Sequence, residues 1–379
     1  MGKPHRRYET DRADLDRLVE ELIEGAVREY GGGEDAADYA RQIVVTALRL
    51  LRDGAEPGNV KLLNSALKEL RHSLRVFAPY EHLRKVAVFG SARTKPGEPA
   101  WDQAFAFAER IAREGWMVIT GAGSGIMAAA QGGAGREASF GVNIRLPFEQ
   151  AANEVIAGDH KLINFRYFFT RKVVFVKESH AIALFPGGFG THDEGFEALT
   201  LIQTGKSPIV PVVFVDAPGG SYWREWEQWV RAQLSARGLV SERDTSLFRV
   251  TDDVGTAVHE ILNFYSNYHS SRYVGDRLVL RLRRAPSPDQ LDRLNRGFPD
   301  LLVSGVIECC APLPEEEGEF PQLARLVLRF NHREMGRLRE LIDEVNGYVA
   351  ASAPPPRDAG PLEVVEQSLP PEAERAEQD

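Results

Sequence analysis

The sequence predicts an α/β protein: a doubly wound, parallel, Rossmann-like sheet, with a helical segment before it and a small α+β module after it. Two patterns carry this. From Arg84 to about position 270, short unbroken apolar runs alternate with helix-length segments, as parallel strands covered on both faces require. Before that stretch apolar residues recur at helical spacing, and after it they alternate with arginines. Size agrees, since 379 residues at about 150 per domain make two to three folded units. With 43% hydrophobic and 27% charged residues the chain has apolar surface for a large core, which excludes wholesale disorder.

Taken in order, residues 1–80 read as helices. Leu15, Leu18, Val19, Leu22 and Val27 share one stripe, Ile43, Val44, Ala47, Leu48 and Leu51 a second, and Leu62, Leu63, Ala66, Leu70 and Leu74 a third. Gly31-Gly32-Gly33, Gly54 to Gly58 and Pro79 mark the breaks. Amphipathic helices must bury their stripes, so this segment is expected to cap the next domain or to form a dimer contact. The Rossmann-like domain is expected over 81–270, with strands at 86–89, 117–120, 142–146, 181–185 and 209–215.

A smaller α+β module is expected over 273–350. Leu278, Leu280 and Leu282 alternate with Arg277, Arg281 and Arg283, a helix follows at 288–296, and a strand is read at 301–310. Leu326, Leu328 and Phe330 then alternate with Arg325 and Arg329 before a last helix at 333–346. The five arginines are read as a solvated outer face offset by Glu308 and Glu315-Glu316-Glu317, with an anion effector site as the alternative. From 351 to 379, Pro354-Pro355-Pro356, Pro370-Pro371 and seven acids against Arg357 and Arg375 read as a disordered acidic tail.

Charge and cysteine limit the partners. With 46 Lys+Arg against 55 Asp+Glu the net charge is -9, so no global basic field attracts a nucleic-acid polymer or an acidic membrane. The 2 cysteines, Cys309 and Cys310, are neighbours, which excludes a disulfide framework. No apolar stretch of signal or spanning type follows Lys3-Pro4-His5-Arg6-Arg7, so a reducing cytoplasm is the expected location.

Chemistry is expected at three glycine-rich turns, each at the carboxyl end of an expected parallel strand, where open α/β sheets bind ligands. The first is Gly90-Ser91-Ala92-Arg93. The second, Gly121-Ala122-Gly123-Ser124-Gly125, precedes an alanine-rich helix whose amides can face an anion; it is not a dinucleotide fingerprint, because G-x-G-x-x-G from Gly121 fails at Ile126. The third, Pro186-Gly187-Gly188-Phe189-Gly190-Thr191, exposes successive amides at a helix start and adds a hydroxyl, which makes a phosphate cradle. Glu194 lies one turn inside that helix. A carboxylate beside a bound anion suggests chemistry, and the alternative is an acid stabilising its own helix end. Upstream, Arg171-Lys172 either snorkels from a buried helix or offers a guanidinium to phosphate or ribose.

Pro186-Gly187-Gly188-Phe189-Gly190-Thr191-His192-Asp193-Glu194 matches PGGxGTxxE, and with Arg171-Lys172 upstream it resembles the Lonely Guy family of nucleoside 5′-monophosphate phosphoribohydrolases, often mislabelled lysine decarboxylases. Gly141 to Gln150 (GVNIRLPFEQ) resembles the larger bacterial members. The resemblance covers roughly 80–270 and implies hydrolysis of the N-glycosidic bond of AMP-like or cytokinin-type monophosphates, with no cofactor or metal, in a homodimer or higher homo-oligomer whose interface builds the site. By position it makes Glu194 and Arg171 catalytic. It makes Gly90, Ser91, Gly121, Gly123, Gly125, Lys172, Gly187, Gly188, Gly190 and Thr191 substrate-binding, and Glu197 structural or ribose-binding. A non-catalytic nucleotide or cofactor carrier, like the molybdenum-cofactor carriers that share this fold, is the competing expectation.

Three other patterns are set aside. Thr204-Gly205-Lys206-Ser207 lacks the first glycine of a P-loop, whose place is held by Thr200. His192-Asp193-Glu194 has no second histidine at ligand spacing. Nothing accompanies Lys172 that suggests pyridoxal phosphate.

Overall fold

The parallel sheet is wider than its apolar runs announce. The structure is a computed structural model describing residues 8–145, 151–316 and 318–349. The expected tail from 351, positions 146–150 of the GVNIRLPFEQ segment, and Glu317 lie outside the described residues. The chain divides into two compact units, Met1–Arg71 and His72–Asp379.

In the first unit, α1 (Ala13–Tyr30) and α2 (Glu34–Arg52) pack together and bury Val19 and Val45. Gly31 and Gly54 end them at φ +79° and +68°, a left-handed backbone that glycine adopts without steric cost. Helix α3 (Pro57–Phe77) runs across the division. Leu18, Leu22, Ile43 and Leu51 stay exposed, so the apolar stripes of α1 and α2 are only partly covered.

The second unit begins with seven parallel strands: β1 (Lys85–Phe89), β2 (Met117–Thr120), β3 (Ser139–Ile144), β4 (Leu162–Phe165), β5 (Ala181–Leu184), β6 (Val212–Val215) and β7 (Phe248–Thr251). Their order is β4-β3-β2-β1-β5-β6-β7, every pairing parallel. The expected strands appear, β2 with its expected ends and the other four with shifted ones. Strands β4 and β7 were not expected because they are the sheet's two edges: Leu-Ile-Asn-Phe and Phe-Arg-Val-Thr lack the unbroken apolar run of a strand buried on both faces. Helices α4 (Pro99–Arg113), α5 (Ile126–Ala134), α6 (Phe168–Glu178), α7 (Phe189–Gln203), α8 (Tyr222–Trp229) and α9 (Val254–Phe264) accompany the sheet.

The chain winds outward from β1 to β4, then returns to place β5 on the other side of β1. That reversal opens a crevice at the carboxyl ends of β1 and β5, with β2 next to β1. The turns that follow these three neighbouring strands are the three glycine turns.

A four-stranded antiparallel sheet follows, in the order β10-β11-β9-β8, with β8 (Tyr268–Val274), β9 (Arg277–Leu282), β10 (Glu308–Cys310) and β11 (Ala324–Leu328). Strand β8 begins inside the stretch expected to close the Rossmann-like domain. Of the strand expected at 301–310 only Glu308–Cys310 forms; Leu301 ends a 3-10 turn, Pro299–Leu301, and Leu302 makes an isolated bridge to Phe330. Helix α10 (Pro288–Gly297) starts at a capping box of Ser287 and Gln290. Helix α11 (Met335–Gly347) closes the module and packs on the 3-10 turn Glu242–Leu247, where a Cβ on Gly336 would lie 2.1 Å from the Arg243 carbonyl. Buried Asn346 joins this helix to the Rossmann-like part. Its side chain donates to the Phe264 carbonyl at 2.7 Å and accepts from the amides of Asn267 and Tyr268 at 3.1 and 2.8 Å.

The solvated arginine face needs correction. Arg281 and Arg325 stand opposite each other in register, and both are buried beneath the loop that carries Leu313, Glu316 and Phe320. Two like charges in that position repel unless a counter-charge lies between them. Glu316, with 0% of its side chain exposed, accepts from Arg325 Nε at 2.7 Å and from Arg281 Nε at 2.9 Å. Arg277 reaches Glu315 and Arg329 lies near Asp276, so those two do keep the partly exposed setting expected. Among the described residues no helix is long and apolar enough to cross a membrane.

Candidate active site at the carboxyl edge of the parallel sheet

The three glycine turns are bonded to one another. The Ser91 amide donates to the Pro186 carbonyl at 3.0 Å, joining the first turn to the third. The Ile126 amide donates to the Ser91 carbonyl at 3.0 Å, and Ser124 Oγ donates to the Ala92 carbonyl at 2.8 Å, joining the second to the first. The first amide of α5, expected to face an anion, is therefore taken by Ser91.

The glycines separate into two kinds. A Cβ on Gly90 would lie 2.6 Å from the Ile126 side chain, and one on Gly187 would lie 2.1 Å from Thr191 Oγ1. Gly125 has φ +66°, and its Cβ would lie 2.2 Å from the Ser91 carbonyl oxygen. At Gly121 and Gly123 the obstacle is the Met127 thioether end. These positions have reasons inside the protein for being glycine. Gly188 and Gly190 do not: a Cβ at either meets nothing within 4 Å, and neither has a left-handed φ. A missing side chain that neither packing nor backbone requires leaves room for a ligand to approach the main chain.

Charged groups gather where α6 and α7 meet. Glu194, only 8% exposed, has Oε1 at 3.9 Å from an Arg171 guanidinium nitrogen and Oε2 at 3.8 Å from Lys172 Nζ. Burial pushes its carboxyl above the ordinary range, against the pull of Lys172 and Arg171. Lys172 is engaged elsewhere, at 2.7 Å from Glu197 and 2.8 Å from Asp193; burial opposes its charge, but those bonds hold its pKa above the ordinary lysine value. Lys172 and Glu197 are thus each other's partners. The same Arg171 nitrogen would lie 3.7 Å from a Cβ on Gly121, so this guanidinium stands between the second turn and Glu194. Thr191 is buried at the head of α7, beside Gly187.

Two residues that hold these turns were not singled out in the sequence. Asn153 Nδ2 lies 3.1 and 3.0 Å from the carbonyls of Ala122 and Gly123 and 2.6 Å from Gln131 Oε1, while its own amide donates to Ala122 at 2.9 Å. Tyr222, at the start of α8, donates its hydroxyl to the Gly187 carbonyl. The partners are separated by 31 and 35 residues, and no spacing rule reaches that far.

Residues 124–261 match the family described as "Possible lysine decarboxylase", a span that takes in Arg171, the third turn and Glu194. No curated protein matches the chain. Among solved structures, the molybdenum cofactor carrier protein of Chlamydomonas reinhardtii is similar, with 24% identity over 46% of this chain and 94% of its own, at a TM-score of 0.33. The molybdenum cofactor binding protein of Rippkaea orientalis is similar at 19% identity, over 47% of this chain and 93% of its own, at a TM-score of 0.32. Residues 124–261, then, resemble the possible lysine decarboxylase family, which is the Lonely Guy family of the PGGxGTxxE turn.

Proposed function

We propose that this chain hydrolyses the N-glycosidic bond of nucleoside 5′-monophosphates, releasing free base and ribose 5-phosphate. The observation that carries the reading is a nearly buried carboxyl, Glu194, beside the Arg171 guanidinium and within two helical turns of two glycines the protein itself does not require. Phosphate fits the space at Gly188 and Gly190, against the amides of Phe189 and Gly190 at the start of α7. The bond from C1′ to the base nitrogen breaks as positive charge develops on the sugar. Glu194 as carboxylate stabilises that charge and takes a proton from the attacking water, whose oxygen bonds to C1′ while the departing base gains a proton. Lys172 and Arg171 oppose the rise that burial gives the Glu194 pKa, and Arg171 offers planar donors to phosphate or base.

The reading includes at least a dimer. Phe168, Phe169 and Val173 on α6 and Phe189 on α7 are exposed apolar side chains next to the site, which suits a second copy. The test of function is incubation with AMP, GMP, IMP and CMP, with free base and ribose 5-phosphate resolved by chromatography. No base from any of them would end the hydrolase reading, and ribose 5-phosphate binding without turnover would favour the carrier.

Gly188→Ala tests the cradle. The added methyl has open space in the free protein, so stability should stay within about 0.5 kcal/mol of wild type. KM for the monophosphate should rise about tenfold, the effect of ~1.4 kcal/mol of lost binding. Gly125→Ala should do the reverse kind of damage and lower Tm, because both its φ and its contact with Ser91 forbid a Cβ. Equal KM values for Gly188→Ala and wild type would remove the turn from the binding site.

A further inference from the structure

We infer that Tyr222 is a positioning residue for the phosphate cradle: its hydroxyl holds the Gly187 carbonyl so that the Gly188 amide is turned toward the ligand. The inference rests on the reading of the third turn as that cradle, and it assigns a role to a residue outside the glycine motif.

In a trans peptide the carbonyl and the following N–H point in opposite directions, so fixing one fixes the other. Two successive carbonyls of the turn are held by the protein, Pro186 by the Ser91 amide at 3.0 Å and Gly187 by the Tyr222 hydroxyl. The amides of Gly187 and Gly188 are therefore directed away from Ser91 and Tyr222 respectively. Without a holder, a Gly-Gly peptide rotates at little cost, and half of its orientations offer a phosphate a carbonyl oxygen in place of a donor.

Tyr222 is itself held. Asp216, buried just past β6, accepts from the Trp223 amide at 3.1 and 3.0 Å, which fixes the start of α8. Trp223 is fully buried and meets the Tyr222 ring edge-on at 4.8 Å. His192 Nε2 lies 2.7 Å from the Tyr222 hydroxyl. The phenol has one proton and gives it to Gly187, so it accepts from His192 Nε2–H. A chain of bonds thus runs from His192, on the first turns of α7, through Tyr222 to the main chain of the turn that begins the same helix. Both ends of the cradle are tied to one side chain.

The experiment is Tyr222→Phe, which deletes the hydroxyl and keeps the ring. Affinity for ribose 5-phosphate, by calorimetry, is expected to weaken about tenfold, the size of one charge-assisted donor. KM for the monophosphate should rise in step, with kcat within a few-fold and the weak affinity for unphosphorylated ribose unchanged. A purely structural role would not single out the phosphorylated ligand. If the variant loses its fold, the wild-type Gly188 amide resonance serves instead, and it should shift on addition of inorganic phosphate. Ribose 5-phosphate binding as tight in Tyr222→Phe as in wild type would overturn the inference, as would an unmoved Gly188 amide. Wild-type protein that binds ribose 5-phosphate yet hydrolyses no monophosphate would remove the hydrolase reading and leave this inference standing. Wild-type protein that binds neither ligand would overturn both.

Discussion

Glu194→Gln is expected to lower kcat for monophosphate hydrolysis by at least about a hundredfold while leaving KM within a few-fold. The amide preserves shape and hydrogen bonding but neither opposes charge on the sugar nor takes a proton from water. The phosphate keeps its glycine turn, so ground-state binding survives. The same variant should be more stable than wild type at neutral pH. Burial raises the Glu194 pKa above its ordinary 4.5, so the folded state holds that proton more tightly than the unfolded chain does. Stability attributable to this group therefore falls as pH rises from the ordinary value through the raised one, and the cost is fully present above it. Glutamine carries no such cost. The Tm of Glu194→Gln should exceed that of wild type at pH 7 by a margin that shrinks below the ordinary carboxyl range. An unchanged kcat would return Glu194 to the role of a helix-end acid.

Glu316→Gln is expected to cost about 3–5 kcal/mol of stability at neutral pH, because it leaves two buried guanidiniums without their counter-charge. Burial works against the Glu316 charge, but bonds from Arg325, the Leu313 amide and Arg281 bring its pKa down to about 2. A folded pKa below the unfolded one gives stability that is fully present above the ordinary glutamate range and is lost as pH falls toward 2. The gap between wild type and Glu316→Gln, read from urea unfolding, should be widest at neutral pH and close over that acid window. A difference under about 1 kcal/mol at pH 7 would mean that solvent reaches this cluster and stands in for the missing charge.

The sequence made the central sheet legible where strands are buried on both faces, because such strands must be apolar throughout. It hid β4 and β7, whose outer edges free them from that demand. The grouping of Glu194, Arg171 and Lys172 was legible because all three stand in one motif pair, and the structure brings the two cations to 3.9 and 3.8 Å from the Glu194 carboxylate. What separates Gly188 from Gly187 was not legible, since both are glycines in one turn and only the neighbours in space give one of them a packing reason. Arg281 and Arg325 misled for a related cause. Alternation marks two faces of a strand, but it does not say that a loop about 35 residues away folds over the charged one, as Glu316 does on Arg281. Asn153 and Tyr222 act on turns far away in sequence and carry no local signature.

The side chain of Asn346 has a consequence for how the molecule comes apart. It sits between the last helix of the antiparallel module and the stretch 264–268 that leaves the parallel sheet, and it satisfies one carbonyl and two amides that are closed to water. Pulling helix α11 away from that stretch would strand all three at once, each at a cost of roughly 1–3 kcal/mol. Partial unfolding along that seam is thereby penalised, and the two sheets should lose their structure as a single cooperative block. Scanning calorimetry of the whole chain should show residues 72–349 melting in one transition whose calorimetric and van't Hoff enthalpies agree, and Asn346→Ala should split it into two.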